Sequence, residues 1–265
     1  MSGLTAKVLL GHRGAPLDLP ENTLESFALA LAQGADGLEL DVHSTRDGVV
    51  VAAHDATLLR TADVPHRIAD LTFAELQQID VGATFRDRTG APATTAYRVP
   101  SLEEVAHAFP RVHLNVDIKA RGGADDVVRL VRRVHAQERV LLTSFSARTL
   151  RRARALRYEG AIGAGTTDAL AIRFTPRTAT ATRLLRALLP EVARLQMPRA
   201  FKGISFDETW LYARCASLGI PVDVWVIDDV AVARAILARG ASGIVTNDIL
   251  AMAPMIRALR SSPSA

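Results

Sequence analysis

The sequence predicts an α/β protein, a (β/α)8 TIM barrel with a small insertion after the second strand. Three observations predict it. Short apolar runs alternate with helix-period stretches along most of the chain, the pattern of βα units on a parallel sheet. The number of such units is close to eight. The length, 265 residues, is that of a barrel closed as one domain.

In chain order, the first strand is read at 8–11 and its helix at 22–33, where Asn22 and Glu25 have capping-box spacing and Gly34 marks the stop. Strands at 37–42 and 49–53 follow. Residues 56–100 then break the rhythm: they hold one short helix, 73–79, behind a Thr72–Glu75 capping box, and end in the polar stretch RDRTGAPATTAYRVP. That is too long for a simple loop and reads as an insertion within a single domain spanning 1–265. The rhythm resumes with a helix at 101–109, capped by Ser101 and Glu104, and a strand at 113–118. Helix 125–136, strand 140–144, helix 147–156 and strand 161–165 come next. Helix 147–156 carries Arg148, Arg151, Arg152 and Arg154, read as a solvated face. Helix 180–189, strand 194–197, helix 208–217, strand 222–226, helix 230–239, strand 243–246 and helix 249–259 complete the chain, with Gly219 and Gly240 at helix stops.

Composition excludes several classes. Hydrophobic residues make up 49% and charged residues 23%, ordinary for a globular protein with a large core. The net charge of +4 is spread out, without a basic arm, so nucleic acid is not an expected partner. A single cysteine, Cys215, leaves no internal disulfide and no Cys-rich zinc site. No run approaches 18 apolar residues, and MSGLTAKVLL lacks the pattern of a leader peptide, so no integral membrane segment and a cytoplasmic location are expected. There is no Walker loop, no Gly-x-Ser-x-Gly elbow and no His-Glu-x-x-His.

The strand ends carry the chemistry. In GLELDVHS, side chains alternate faces, so Glu39, Asp41 and His43 share one face and Leu38, Leu40 and Val42 the other. Two carboxylates on a buried strand need positive compensation, either from an Arg or Lys partner or from a hard divalent cation such as Mg²⁺ or Ca²⁺. HLNVDIKA repeats the pattern with Asn115, Asp117 and Lys119 on one face. His12 and His54 each end an apolar run, where a side chain can reach the barrel mouth. A pair of imidazoles can divide the roles of base and acid near neutral pH. Arg13 adds a planar donor fork suited to phosphate oxygens. His66, His107 and His135 fall in the insertion or on helices, and His113 begins its strand, at the wrong end for the site.

These segments resemble the glycerophosphodiester phosphodiesterases. The resemblance is carried, in order, by GHRGAPLDLPENTLESF, GADGLELDVHSTRDGVVVAAHDATLLRTAD, LTFAELQQIDVG, VPSLEEV, LNVDIK and GASGIVTND, spread over residues 11–248. It implies the barrel, the insertion at 56–100, and hydrolysis of a glycerophosphodiester, the small-molecule partner, to glycerol 3-phosphate and an alcohol. It further implies a Mg²⁺ or Ca²⁺ cofactor on Glu39, Asp41 and Asp117, and His12 and His54 as general base and acid. Arg13 and Lys119 would hold the phosphate, and Trp225 would line the pocket. Asn22, in Pro-Glu-Asn-Thr, also has the plain role of a helix cap. The chain departs from the family pattern at Asp117, where Glu is usual, at VWVIDD, and at Asn247, which precedes Asp248 where Thr-Asp is common, so no role is carried over there.

Two alternatives remain beside this reading. One is a lysophospholipase D-like or other phosphodiesterase on the same scaffold. The other is a binding protein with a degenerate site, which Asp117 invites. A metal-dependent amidohydrolase would need a histidine-rich metal set that is missing. The head group, the physiological metal, water attack against a cyclic phosphate, and the oligomeric state are open at this level.

Overall fold

The structure is a computed structural model that describes residues 7–120, 122–189 and 191–261. Residues 1–6, part of the segment read above for a leader, lie outside them. The elements run β1 (Val8–His12), α1 (Leu24–Gln33), β2 (Gly37–Ser44), β3 (Val50–Ala52), α2 (Leu59–Ala62), a 3₁₀ turn (Ile68–Asp70), α3 (Phe73–Leu76), α4 (Leu102–Ala108), β4 (His113–Ile118), α5 (Ala124–Arg133), β5 (Val140–Thr143) and α6 (Ala147–Ala155). Then come β6 (Ala161–Gly163), α7 (Thr166–Phe174), α8 (Ala179–Leu188), β7 (Val192–Pro198), β8 (Ala200–Phe201), β9 (Ile204–Ser205), α9 (Thr209–Leu218), β10 (Val222–Trp225), α10 (Val230–Ala238), β11 (Gly243–Thr246) and α11 (Ile249–Ser261).

Among the described residues, eight parallel strands close into a barrel in the order β1-β2-β4-β5-β6-β7-β10-β11, with β11 returning to β1. Each outward face supplies a branched aliphatic stripe: Leu38, Leu40 and Val42 on β2, Leu114, Val116 and Ile118 on β4, Val222 and Val224 on β10. These stripes pack with Phe27, Val127, Leu150, Ile236 and Met252 of the surrounding helices into one core. Alternation then forces the intervening residues inward, where Val8, Leu10 and Val245 make a small apolar cluster on β1 and β11 and the side facing it is polar. Asn115 donates to Gln196, Gln196 donates to Asp223, and Asp223 pairs with Arg194.

The strand expected at 49–53 forms, but not as a barrel stave. β3 pairs antiparallel with β2 and opens the insertion. The insertion has its own apolar cluster, built on Val51, Leu58, Ile68, Leu76, Val81 and Val99. The capping boxes at Thr72 and Ser101 are present, and Gly34 and Gly219 end their helices in the left-handed region. Asn22 does not cap α1. Thr23 does, accepting from the Ser26 N–H, and Asn22 sits at φ 57° with its side chain turned to Asp41. Helix α7 and the β8–β9 hairpin were not expected from the sequence. Gly165 precedes α7 and has no side chain to cap it, so Asp168 bonds the Gly165 N–H instead. No helix among the described residues is long and apolar enough to cross a membrane.

Candidate active site

Strand register assembles the site. β1 pairs with β2 so that His12 lies beside Glu39, and β2 pairs with β4 so that Asp41 lies beside Asp117. Parallel neighbours sit about 4.8 Å apart, so the register alone brings four reactive side chains to one end of the barrel. All eight candidates, His12, Arg13, Glu39, Asp41, His54, Asp117, Lys119 and Trp225, line one cavity of about 200 Å³.

Arg13 is aimed by its backbone. It lies at φ 58° and is followed by Gly14 at φ 94°. A Cβ at Gly14 would come within 2.4 Å of the Ser26 hydroxyl and 2.7 Å of its backbone, so only glycine lets the turn lie against α1. The Arg13 N–H donates to the Glu39 carbonyl, and the Asn22 N–H donates to the Arg13 carbonyl. The guanidinium contacts Glu21 at 3.2 Å. Its Nε lies 3.0 Å from Asp41 Oδ2 without the alignment of a hydrogen bond, so that contact is one of charge.

Glu39, Asp41 and Asp117 are 9%, 1% and 6% exposed. Such acids are costly unless compensated, and the compensation is incomplete. Lys119 Nζ bridges Asp41 Oδ1 at 2.8 Å and Asp117 Oδ2 at 2.6 Å, whereas Glu39 Oε2 and Asp117 Oδ1 are buried without any hydrogen-bond donor. Burial, then repulsion from Asp41 and Asp117, pushes the Glu39 pKa well above the usual carboxylate range. Burial likewise raises Asp117, against the opposing pull of Lys119. Burial opposes charge on Lys119 as well, but its two carboxylates more than offset this and raise its pKa.

As placed, no three His, Cys, Asp or Glu side chains among the described residues converge on one point to hold a metal ion. The chemistry of the donor set nevertheless fits a hard divalent cation. The three candidates offer only oxygen, and two of those oxygens are buried acceptors that nothing in the protein satisfies.

The two imidazoles differ in their partners. His12 Nδ1 meets Asn247 Oδ1 at 2.7 Å, and its Nε2 lies 4.0 Å from Glu39 Oε2. Burial, followed by the nearby Arg13 charge, lowers the His12 pKa. His54 Nδ1 meets the Asp55 carboxylate at 2.7 Å, and Arg60 Nε holds the other Asp55 oxygen at 2.6 Å. Arg60 also clamps both oxygens of Glu21, at 2.7 and 2.8 Å. His43 lies with Nε2 at 3.1 Å from the His54 carbonyl, outside the cavity. Opposite the charges the wall is apolar, with Phe145, Leu170, Met197, Phe206 and Trp225. Phe145 meets Trp225 edge to face at 5.8 Å and carries the Lys119 ammonium 5.4 Å from its ring centre. Sequence reading did not single out Asn247, Asp55, Arg60 or Phe145 as site residues.

Residues 12–251 match the model of the glycerophosphoryl diester phosphodiesterase family. The chain belongs to that family. It is 27% identical over 242 residues to a protein of Mycobacterium tuberculosis named "Probable glycerophosphodiester phosphodiesterase 2", covering 91% of this chain and 87% of that one. A glycerophosphodiester phosphodiesterase of Agrobacterium tumefaciens has the same fold, with a TM-score of 0.74 at 25% identity over 94% of this chain and 99% of the other. An Oleispira antarctica phosphodiesterase, solved in complex with the product sn-glycerol-3-phosphate, superposes with a TM-score of 0.74 at 24% identity over 97% of this chain and 98% of the other.

Proposed function

We propose that this chain hydrolyses glycerophosphodiesters to glycerol 3-phosphate and an alcohol, in a divalent-cation-dependent reaction in which His12 and His54 move the protons. The observation that carries the reading is one cavity in which two imidazoles and two cationic side chains face three buried, incompletely compensated carboxylates. The product complex of the Oleispira antarctica phosphodiesterase supports the product assignment.

Arg13 and Lys119 hold the non-bridging phosphate oxygens by charge-assisted hydrogen bonds. One imidazole takes the proton of the attacking oxygen as the new P–O bond forms. The other gives a proton to the alkoxide as the old P–O bond breaks. Glu39, Asp41 and Asp117 would hold Mg²⁺ or Ca²⁺, which when bound supplies positive charge to the phosphoryl oxygens. Trp225 and Phe145 exclude water on the side of the alcohol. The barrel and its 56–100 insertion act as one unit, because Arg60 of the insertion reaches both Glu21 and Asp55.

The test is release of glycerol 3-phosphate from glycerophosphocholine and glycerophosphoethanolamine with Mg²⁺, with Ca²⁺ and with excess chelator. Metal-dependent release is expected, and His12→Ala and His54→Ala each lower kcat about 10²–10⁴-fold. Full activity in chelator, or in both histidine variants, overturns the reading. The apolar wall favours a second reading, a substrate whose alcohol or acyl arm is lipidic. Turnover of lysophosphatidylcholine with no turnover of glycerophosphocholine would establish it.

A further inference from the structure

We propose that Asn247, held by Asp228, is a positioning residue that fixes His12 with its proton on Nδ1 and its Nε2 lone pair toward the cavity. The fold puts these residues on three consecutive staves. β1 ends in His12, β11 beside it ends in Thr246 with Asn247 next in the chain, and β10 beside that leads into Asp228. The register is direct, since Gly11 pairs with Thr246 and the Ile227 N–H donates to the Val245 carbonyl.

An asparagine amide can turn either its oxygen or its nitrogen to a partner. Here the choice is forced from behind. The Asp228 carboxylate takes the Asn247 side-chain N–H at 2.8 Å and the Asn247 backbone N–H at 2.7 Å. It also takes the Thr246 hydroxyl at 2.9 Å. A carboxylate has only acceptors, so Asn247 Nδ2 belongs to Asp228 and Oδ1 is the atom that meets His12, at 2.7 Å. An amide oxygen has no proton to give. Nδ1 of His12 is therefore the donor, and in the neutral ring the lone pair falls on Nε2, the atom on the Glu39 side. His54 has no such neutral partner, because its Nδ1 faces the Asp55 carboxylate. The two rings thus enter the reaction unequal. The amide at 247 orients His12 without adding a fourth negative charge beside Glu39, Asp41 and Asp117.

The inference rests on the proposed function only in taking His12 as a proton-transfer group, and its first readout needs no turnover. Nitrogen-15 spectra of histidine-labelled protein report which ring nitrogen carries the proton, with the His12 signals identified by their loss in His12→Ala. At about pH 8, where an ordinary imidazole is neutral, the wild-type ring is expected as the Nδ1–H form. Asn247→Leu removes the acceptor, so the ring is expected to shift toward the Nε2–H form. kcat falls about 10–100-fold, the usual cost of losing such an outer partner, with KM within about twofold. Exchanging the two groups, Asn247→Asp with Asp228→Asn, keeps an acceptor toward His12 Nδ1 and a donor behind it at unchanged net charge, and is expected to retain the Nδ1–H form. Asp228→Ala frees the amide to flip and is expected to give a mixture of the two forms. An unshifted His12 tautomer in Asn247→Leu overturns the proposal, whatever happens to thermal stability. A wild-type His12 in the Nε2–H form overturns it outright. Full activity in His12→Ala would instead remove the proposed function and leave the tautomer result standing.

Discussion

His12, Glu39, Asp41 and Asp117 are neighbours because a parallel register places them so, and each was legible as an inward position on an apolar strand. What alternation does not convey is how their charges balance. Two positive side chains, Arg13 and Lys119, face three acids, and Glu39 Oε2 is left with no donor. A buried acceptor of that kind lowers stability in the protein without metal. Glu39→Gln removes the charge at nearly constant volume. It is expected to raise the melting temperature of chelator-treated protein by about 2–4 °C per kcal/mol recovered, and to abolish turnover. Added Mg²⁺ or Ca²⁺ is expected to stabilise the wild type and to do so much less in Glu39→Gln, because ligand stabilisation rises with the logarithm of affinity for the folded state and vanishes once the ligand no longer binds. Calorimetry with and without metal decides it: an equal metal-induced rise in both proteins would remove Glu39 from the cation's ligands. The partners of the histidines were not legible in the same way. Asn247 stands 235 positions from His12, and nothing in TND announces that its amide will be turned by Asp228. Asn22 fits a helix-capping pattern, yet the neighbouring Thr23 takes that role and Asn22 reaches Asp41 instead.

The insertion shows the same contrast for whole elements. Its capping box at Thr72 was readable from local spacing, whereas α2 was not, since a single turn leaves no periodic trace. That turn matters because it carries Arg60, which ties Glu21 after β1 to Asp55 after β3 and so joins the segment that follows His12 to the one that holds His54. Burial raises the pKa of Glu21, but Arg60 and Arg13 outweigh it, and the net shift is downward. At Asp55 burial is likewise outweighed, by Arg60 and His54. Acids with lowered folded values contribute stability above their ordinary values, 4.5 for Glu21 and 3.8 for Asp55, and lose it as pH falls through the lowered ones. Arg60 is half exposed, so the network is discounted to about 0.5–1 kcal/mol. Arg60→Met is expected to melt about 1–4 °C below wild type near neutral pH. The gap should narrow as pH falls below the ordinary values and through the lowered ones, as both acids become protonated in the folded wild type. Thermal melts across that range check it, and a gap that persists in acid would locate the effect in packing of the arginine stem. Helix α7 and the β8–β9 hairpin escaped the sequence pattern for a related reason. The hairpin strands are two residues each and the nine-residue α7 buries one side chain, Ile172, so neither shows a periodic face, and their role is tertiary, since Leu170 and Phe201 close the apolar side of the cavity.

At the scale of the molecule, an apolar shell around a barrel interior that is polar on its β4–β7–β10 side explains how one end of the fold can hold so much charge. Outward stripes of Leu, Val and Ile supply one continuous core. Inside, beneath the site, Arg194 and Asp223 form a bidentate pair with Asp223 fully buried, and the chain Asp223–Gln196–Asn115 leads from it toward Thr143, the register neighbour of Asp117. Asp117 therefore stands beside a polar column, while Val8, Leu10 and Val245 form a small apolar cluster on the β1–β11 side of the barrel. A buried ion pair stabilises little relative to apolar residues of equal volume, but breaking it strands a charge, at about 3–5 kcal/mol. Asp223→Ala leaves Arg194 unpaired in the barrel and is expected to lower the melting temperature by about 10 °C. Replacing both residues, Arg194→Met with Asp223→Leu, is expected to recover most of that loss, because no charge remains to desolvate. Thermal melts of the wild type and the two variants, with kcat measured well below each transition, separate scaffold from site. The pair belongs to the scaffold if stability follows charge pairing while kcat stays within a few-fold of wild type. A large fall in kcat in the folded double variant would mean instead that the column sets the field felt by Asp117 and Glu39, and that the polar interior is part of the catalytic apparatus.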